Sequence, residues 1–199
     1  MIDSETPTIV ESPLGALDLD VAALTLLGAR NPHADPWRHT DDVSGFVAYW
    51  GECLGELPNF EAYELVESPR GPLLPDRVYW ARGCVLALIA QRCRDAADSA
   101  VTLRWWFRPP PINHGPGGVG GAAPTATSPG SDHLTASAVD LVYQSRAAID
   151  RAVEDVLLPL YRGGLLEVSL GYGRRTTHVG VFSPGGRRRW VYPGVDWRW

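Results

Sequence analysis

Apolar residues recur at helical spacing in four stretches of this chain and switch to strand-like alternation in five. Residues 18–30 (DLDVAALTLLGAR) repeat apolar positions at i, i+3 and i+4, which predicts a helix. A second helix is expected over 43–57, where Phe46, Val47, Trp50 and Leu54 share one stripe and Asp41 and Asp42 stand at N-capping positions. The longest is expected over 75–97. Pro75 lies near its start, Val78, Ala81, Val85, Leu88 and Ile89 form its apolar band, and its end is polar. A fourth, over 144–161, turns Ala148, Ile149, Val153, Val156 and Leu157 to one side.

Between and after these helices the period shortens. Residues 101–107 (VTLRWWF) are β-branched and aromatic, and 136–142 read as a short strand. Residues 165–170, 176–182 and 187–192 alternate like antiparallel strands joined by Gly-rich turns, GYGR and SPGG. Helices, strand, long loop, strand, helix and hairpin in that order predict an α+β fold. Its small, mainly antiparallel sheet would carry packed helices and be preceded by a helical N-terminal extension. Residues 1–16 read as a loose arm. Residues 108–130 form a loop rich in Pro, Gly, Ala and Ser, and a loop that long in a compact domain is either functional or disordered.

Composition adds three constraints. With 199 residues, 45% hydrophobic and 21% charged, the chain suits one globular domain and is too apolar for disorder. A net charge of −5 argues against nucleic-acid binding, and Arg187–Arg189 reads as a solvated turn rather than a phosphate track. The acidic opening MIDSETPTIVESPLG is not a secretory signal, and no apolar run is long enough for a membrane span. A cytoplasmic product is therefore expected, or one that reaches the cell wall by a phage-type or other route. Cys53, Cys84 and Cys93 form no CxxC pair and are expected to be reduced, with Cys84 and Cys93 in the core.

The chemistry lies in the histidines. Of five, His33, His39 and His114 lack a ligand context. His133 follows the long loop within SDHLTASAVD, and His178 lies in the predicted strand TTHVGV. Two imidazoles with the Asp140 carboxylate would make a three-ligand site with an open position. That is the ligand count of a catalytic zinc ion, whose bound water becomes a nucleophile near neutral pH. His133 and Asp140 are seven residues apart, too far for one regular turn, so a loop-to-strand transition would have to bring them together.

Ser131, His133, Ala138 and Asp140 match the S-x-H-x-x-G-x-A-x-D signature of the zinc D-Ala-D-Ala carboxypeptidases and related peptidoglycan endopeptidases, and the chain resembles that family. Phe107-Arg108-Pro109, Asn113 and Val119-Gly120-Gly121-Ala122 resemble the family's upstream segment. The run from Leu170 to Val179 resembles the segment with its last zinc histidine, and Arg189-Trp190 resembles a relative's ending. The resemblance spans about residues 76–193, which divides the chain into a helical extension, 1–75, and a zinc-peptidase-like domain, 76–199.

The resemblance implies His133, Asp140 and His178 as zinc ligands. It implies Arg108 as the group that meets a substrate carboxylate or developing oxyanion, and Ser131 as a substrate or ligand-holding hydroxyl. The implied reaction is hydrolysis of a peptide bond in a peptidoglycan stem peptide or small D-amino-acid peptide. Two departures stand out. Ala136 replaces the signature glycine, which is mild unless the backbone there has positive φ. The acid that many relatives carry three residues before the last zinc histidine is Arg175, and the one that others carry two residues after it is Gly180.

No motif therefore supplies a general base. A hairpin turn centred on Tyr172-Gly173 would set Glu167 opposite His178, so Glu167 is the candidate base. Asp132 is the poorer candidate, because adjacent side chains of an extended segment point to opposite sides and His133 takes the metal side. The missing acid supports an alternative: a catalytically impaired module that binds cell wall or serves a structural role in a phage or secreted particle. Of Trp105 and Trp106, one is expected in the core and the other along the groove.

Overall fold

The computed structural model describes residues 39–68, 71–113, 130–164 and 166–197. The arm at 1–16, the helix at 18–30 and most of the 108–130 loop lie outside the described residues. Strand β1 (His39–Thr40) pairs antiparallel with β2 (Leu74–Pro75). Between them stand α1 (Val43–Leu54), capped by Asp42, whose carboxylate accepts from Gly45 N–H, and α2 (Ala62–Val66), closed by a Glu61/Glu64 capping box. Helix α3 (Trp80–Ala97) follows, then β3 (Val101–Arg104), the short α4 (Pro110–Asn113) and a 3-10 turn, Asp132–Thr135. Strand β4 (Ala138–Tyr143) leads to a continuous helical rod: α5 (Arg146–Ala152), a π-helical turn at Val153–Leu157, and α6 (Leu158–Gly163). Strands β5 (Ser169–Tyr172), β6 (Thr176–Gly180) and β7 (Arg188–Val191) finish the chain. No described helix is long and apolar enough to cross a membrane.

The expected α+β plan is present. The five-stranded sheet has the order β3-β4-β6-β5-β7, antiparallel except where β7 runs parallel to β5. Alternation gives the sheet two unlike faces. Val101, Leu103, Val139, Leu141, Tyr143, Leu170, Tyr172 and Val179 form one face, which is buried in the core with α3 and α5. The register lines up Arg104, Asp140, His178, Gly171 and Trp190 across the other face, one residue from each strand.

Helix α3 is buried nearly all round, not along one band, because α1, α5 and the sheet surround it. Even Arg82 is buried; its guanidinium donates to the Thr135 carbonyl at 2.8 Å and the Ser137 hydroxyl at 2.9 Å. Phe46 of α1 stacks on Trp106 and meets Trp80 edge-on, so the described part of the N-terminal extension shares this core. Cys84 and Cys93 are buried, reduced and part of it, as expected.

Two sequence expectations need correction. The third C-terminal strand does not extend the hairpin at the side of β6; β7 crosses over and adds to the far side of β5. The β5–β6 pairing sets Gly171, not Glu167, opposite His178, because β5 runs on through the buried Tyr172 and the turn closes at Gly173 N–H to Thr176 O. Glu167 lies four positions from that pairing, in left-handed backbone (φ 48°), where its carbonyl accepts from Ser183 N–H.

Candidate metal centre

His133 is placed by its backbone and by Trp106. The 3-10 turn at Asp132–Thr135 ends on Ala136 in left-handed backbone, φ 49°. The backbone at Ala136 thus does take positive φ, and an alanine holds it. Trp106 holds this turn at two points. Its indole N–H donates to the Ala136 carbonyl at 2.8 Å, and its own carbonyl accepts from His133 Nδ1 at 3.1 Å. A carbonyl only accepts, so Nδ1 carries the proton and Nε2 keeps its lone pair. That Nε2 is buried, has no hydrogen-bond partner and lies 3.5 Å from Asp140 Oδ1.

Asp140 and His178 face each other across β4 and β6, with His178 Nδ1 3.3 Å from Asp140 Oδ1. One ligand atom from each of His133, Asp140 and His178 lies within 4.8 Å of the others. The sequence-predicted triad is thus assembled from a 3-10 turn and two neighbouring strands, and it could hold a metal ion. An unpartnered buried lone pair beside a carboxylate and a second imidazole is a donor set suited to a divalent cation, with zinc among the candidates.

The residue that the sequence ranked low, Asp132, completes the ligand shell from behind. Its Oδ2 accepts from Ser169 Oγ at 2.6 Å and faces His178 Nε2 at 3.4 Å. Its Oδ1 accepts from Ser183 Oγ at 2.8 Å and meets the Arg188 guanidinium at 2.9 Å. Asp132 and His133 point into one pocket because they sit on a 3-10 turn, where successive side chains differ by about a third of a turn rather than by half. A ligating histidine commonly donates its second ring N–H to a carboxylate, and the Asp132–His178 pair has that form.

The electrostatics agree. Burial acts to raise both the Asp132 and Asp140 carboxyls, but His178 and Arg188 at Asp132, and His133 and His178 at Asp140, hold both well below the usual carboxylate range. Burial pushes the His133 pKa below the usual histidine value, against the pull of the Asp140 carboxylate beside it. Burial also acts to lower His178, yet the two carboxylates outweigh it and raise its pKa above the usual histidine value.

Arg108 is buried beside this centre. Its backbone N–H donates to the His133 carbonyl at 3.1 Å, and its side chain lies in the fields of Asp140 and Tyr192. Its Nε has no hydrogen-bond partner. Trp190 lies over Gly171, where a Cβ would stand 2.6 Å from the indole, and its ring centroid is 5.0 Å from that of His178. Tyr192 continues the same face, its ring 6.0 Å from Trp190. Burial and the Asp140 charge raise its pKa, so the phenol stays protonated.

Of the other predicted residues, Ser131 is half-buried at the start of the 3-10 turn and makes no capping bond. Glu167 is not brought to His178. Arg175 reaches the carbonyls of Tyr143 and Gln144, away from the triad. Trp106 is the core tryptophan. Trp105, at φ 56°, lines a separate cleft with Glu64, Glu67 and Arg104. His39 is on β1, and His33 and His114 lie outside the described residues. One residue past Arg108, Pro109, Pro111 and Ile112 join His39, Val43 and Leu74 around an apolar cleft of about 540 Å³. Tyr192 is a site residue that sequence reasoning missed, and Trp190 entered it only through the resemblance at Arg189-Trp190; the available signal was the alternation of Arg188, Trp190 and Tyr192 at the end of the sheet. Comparison with protein-family models, with characterised proteins and with solved structures returned no match.

Proposed function

We propose that this chain is a zinc-dependent peptidase of the D-Ala-D-Ala carboxypeptidase type. Its substrates would be peptidoglycan stem peptides or small D-amino-acid peptides. The observation that carries the reading is the His133–Asp140–His178 group, its imidazoles buried and its carboxylate half-buried, in which each imidazole is oriented by a bond on its far nitrogen while the near nitrogens converge beside that carboxylate. Zinc bound there would acidify a water molecule and polarise the scissile carbonyl.

The chain's own residues divide the remaining work. His133, Asp140 and His178 hold the ion. The Arg108 guanidinium stays charged and binds the carboxylate end of a peptide or the developing oxyanion. The protonated Tyr192 phenol donates a hydrogen bond on the same face, and Trp190 screens His178 from water. The apolar cleft past Arg108 suits the uncharged part of a peptide.

One observation favours a second reading. Among the described residues, Asp140 is the only carboxylate that the five strands turn toward this face, and the bonds to Asp132 leave it no free lone pair to act as a base. A module that binds the ion and a peptide without turnover fits that arrangement.

Zinc-loaded protein incubated with muropeptides and with peptides ending in D-Ala-D-Ala, read by mass spectrometry, separates the two. The peptidase reading expects new products that vanish in His178→Ala and a KM raised by about tenfold or more in Arg108→Ala, as for a lost charged contact. Zinc uptake and peptide binding with no product would overturn it in favour of the module.

A further inference from the structure

We propose that Asp132, lodged in the gap that Gly180 leaves in β6, is the positioning residue that turns His178 Nδ1 toward the cation. The inference rests on the metal reading above and adds to it a residue outside the ligand set.

Gly180 and His178 are two apart on β6 and share a face. A Cβ on Gly180 would overlap the Ser169 hydroxyl and stand 3.1 Å from Asp132 Oδ2. Gly180 is not among the residues with positive φ, so the backbone there does not call for glycine; the space does. That space holds the Asp132 carboxylate against His178 Nε2.

The carboxylate is also the meeting point of separate parts of the chain. Asp132 comes from the 3-10 turn, Ser169 from β5, His178 from β6, Ser183 from the segment after it, and Arg188 from β7. All four lone-pair positions are engaged, so Asp132 is not free to take a proton from a substrate or a water molecule. What it can do is fix the imidazole. With Nε2 committed to Asp132, Nδ1 is the nitrogen left beside Asp140. Arg188 and the two hydroxyls in turn keep the carboxylate from swinging toward the cation. Loss of such an outer partner weakens metal binding by about 10–100-fold.

The test uses the full chain with zinc, titrated against a chromophoric chelator, and with cobalt(II), read by its visible spectrum. Asp132→Asn, Ser169→Ala and Gly180→Ala are compared with the unaltered protein, each checked for folding by circular dichroism. The inference expects zinc affinity to fall by about 10–100-fold in Asp132→Asn and by a smaller factor in Gly180→Ala. It also expects both variants to shift the cobalt bands and the low-field ring N–H proton resonance of His178.

A purely structural role would lower the melting temperature of the metal-free variants while leaving zinc affinity, cobalt spectrum and ring proton unchanged, and that result overturns the inference. If Asp132→Asn does not fold, Gly180→Ala and Ser169→Ala, which keep every charge, decide by the same readouts. Uptake of neither metal by the unaltered protein overturns the metal reading and this inference together. Tight uptake that all the variants share overturns this inference alone.

Discussion

The Trp106 indole lies against the bare Cα of Gly83, so close that a Cβ there would stand 2.6 Å from a ring carbon. Gly83 lies within α3, where glycine is otherwise unfavourable, and its missing side chain leaves the room that the ring fills. The contact matters beyond packing, because the same tryptophan bonds the Ala136 carbonyl with its N–H and His133 with its carbonyl.

Gly83→Ala should therefore cost about 1–3 kcal/mol through overpacking. Thermal unfolding should show a fall of roughly 3–10 °C, together with weaker zinc binding as His133 shifts. Gly51, in the exposed part of α1 with nothing within 4 Å of a Cβ position, supplies the opposite sign. Gly51→Ala should gain about 0.5–1 kcal/mol and leave zinc binding unchanged.

His178 sets the pH dependence. Its raised pKa in the metal-free protein means that a proton occupies the site that the cation needs. Cation binding must expel that proton, so affinity should rise about tenfold per pH unit while His178 is protonated and level off above its pKa. Isothermal titration in buffers of different ionisation enthalpy should show proton release on zinc binding that grows as pH falls through the His178 pKa. Affinity that is flat or falls between pH 6 and 8 would contradict this.

The same shifts give the stability of the metal-free protein. A histidine with a raised folded pKa contributes stability that is complete below the unfolded value of about 6.5 and is lost as pH climbs through the folded value. His133, pushed down by burial, acts on the other limb: below about 6.5 the unfolded chain takes up a proton that the folded chain refuses. Thermal melts in chelator should accordingly decline on both sides of a maximum near that pH, and zinc should flatten the alkaline side.

Ala136 makes a prediction about strain. Left-handed backbone costs an L-residue about 1–2 kcal/mol, while its fully buried methyl contributes about 0.8 kcal/mol. These nearly offset, so Ala136→Gly should stay within about 1 kcal/mol of the unaltered protein. Ala136→Val, β-branched in the same backbone and at a fully buried position, should cost more than about 2 kcal/mol. Denaturant unfolding of the pair distinguishes them.

The triad was legible because its three residues carry distinctive chemistry at recognisable spacing, and the class of fold because its apolar periods are clean. The hairpin register was not. Moving the β5–β6 turn so that Gly171 replaces Glu167 opposite His178 is a shift of four positions. An even shift keeps every side chain on its own face, so the apolar pattern reads the same either way. The direction of the Asp132 side chain was not legible for a local reason: alternation applies to extended chain, and Asp132–Thr135 is a tight turn. The parallel addition of β7 also escaped the pattern. Alternation marks a strand without naming its neighbour, and the fit of Trp190 over Gly171 is a tertiary contact.

The central claim is that His133, Asp140 and His178 hold one divalent cation. Anomalous diffraction at the zinc absorption edge, from crystals grown with equimolar zinc, tests it most directly. The account predicts a single strong peak at about 2.0–2.2 Å from His133 Nε2, an Asp140 carboxylate oxygen and His178 Nδ1, with Asp132 still on His178 Nε2. A peak elsewhere on the chain, or none at this triad, would contradict it.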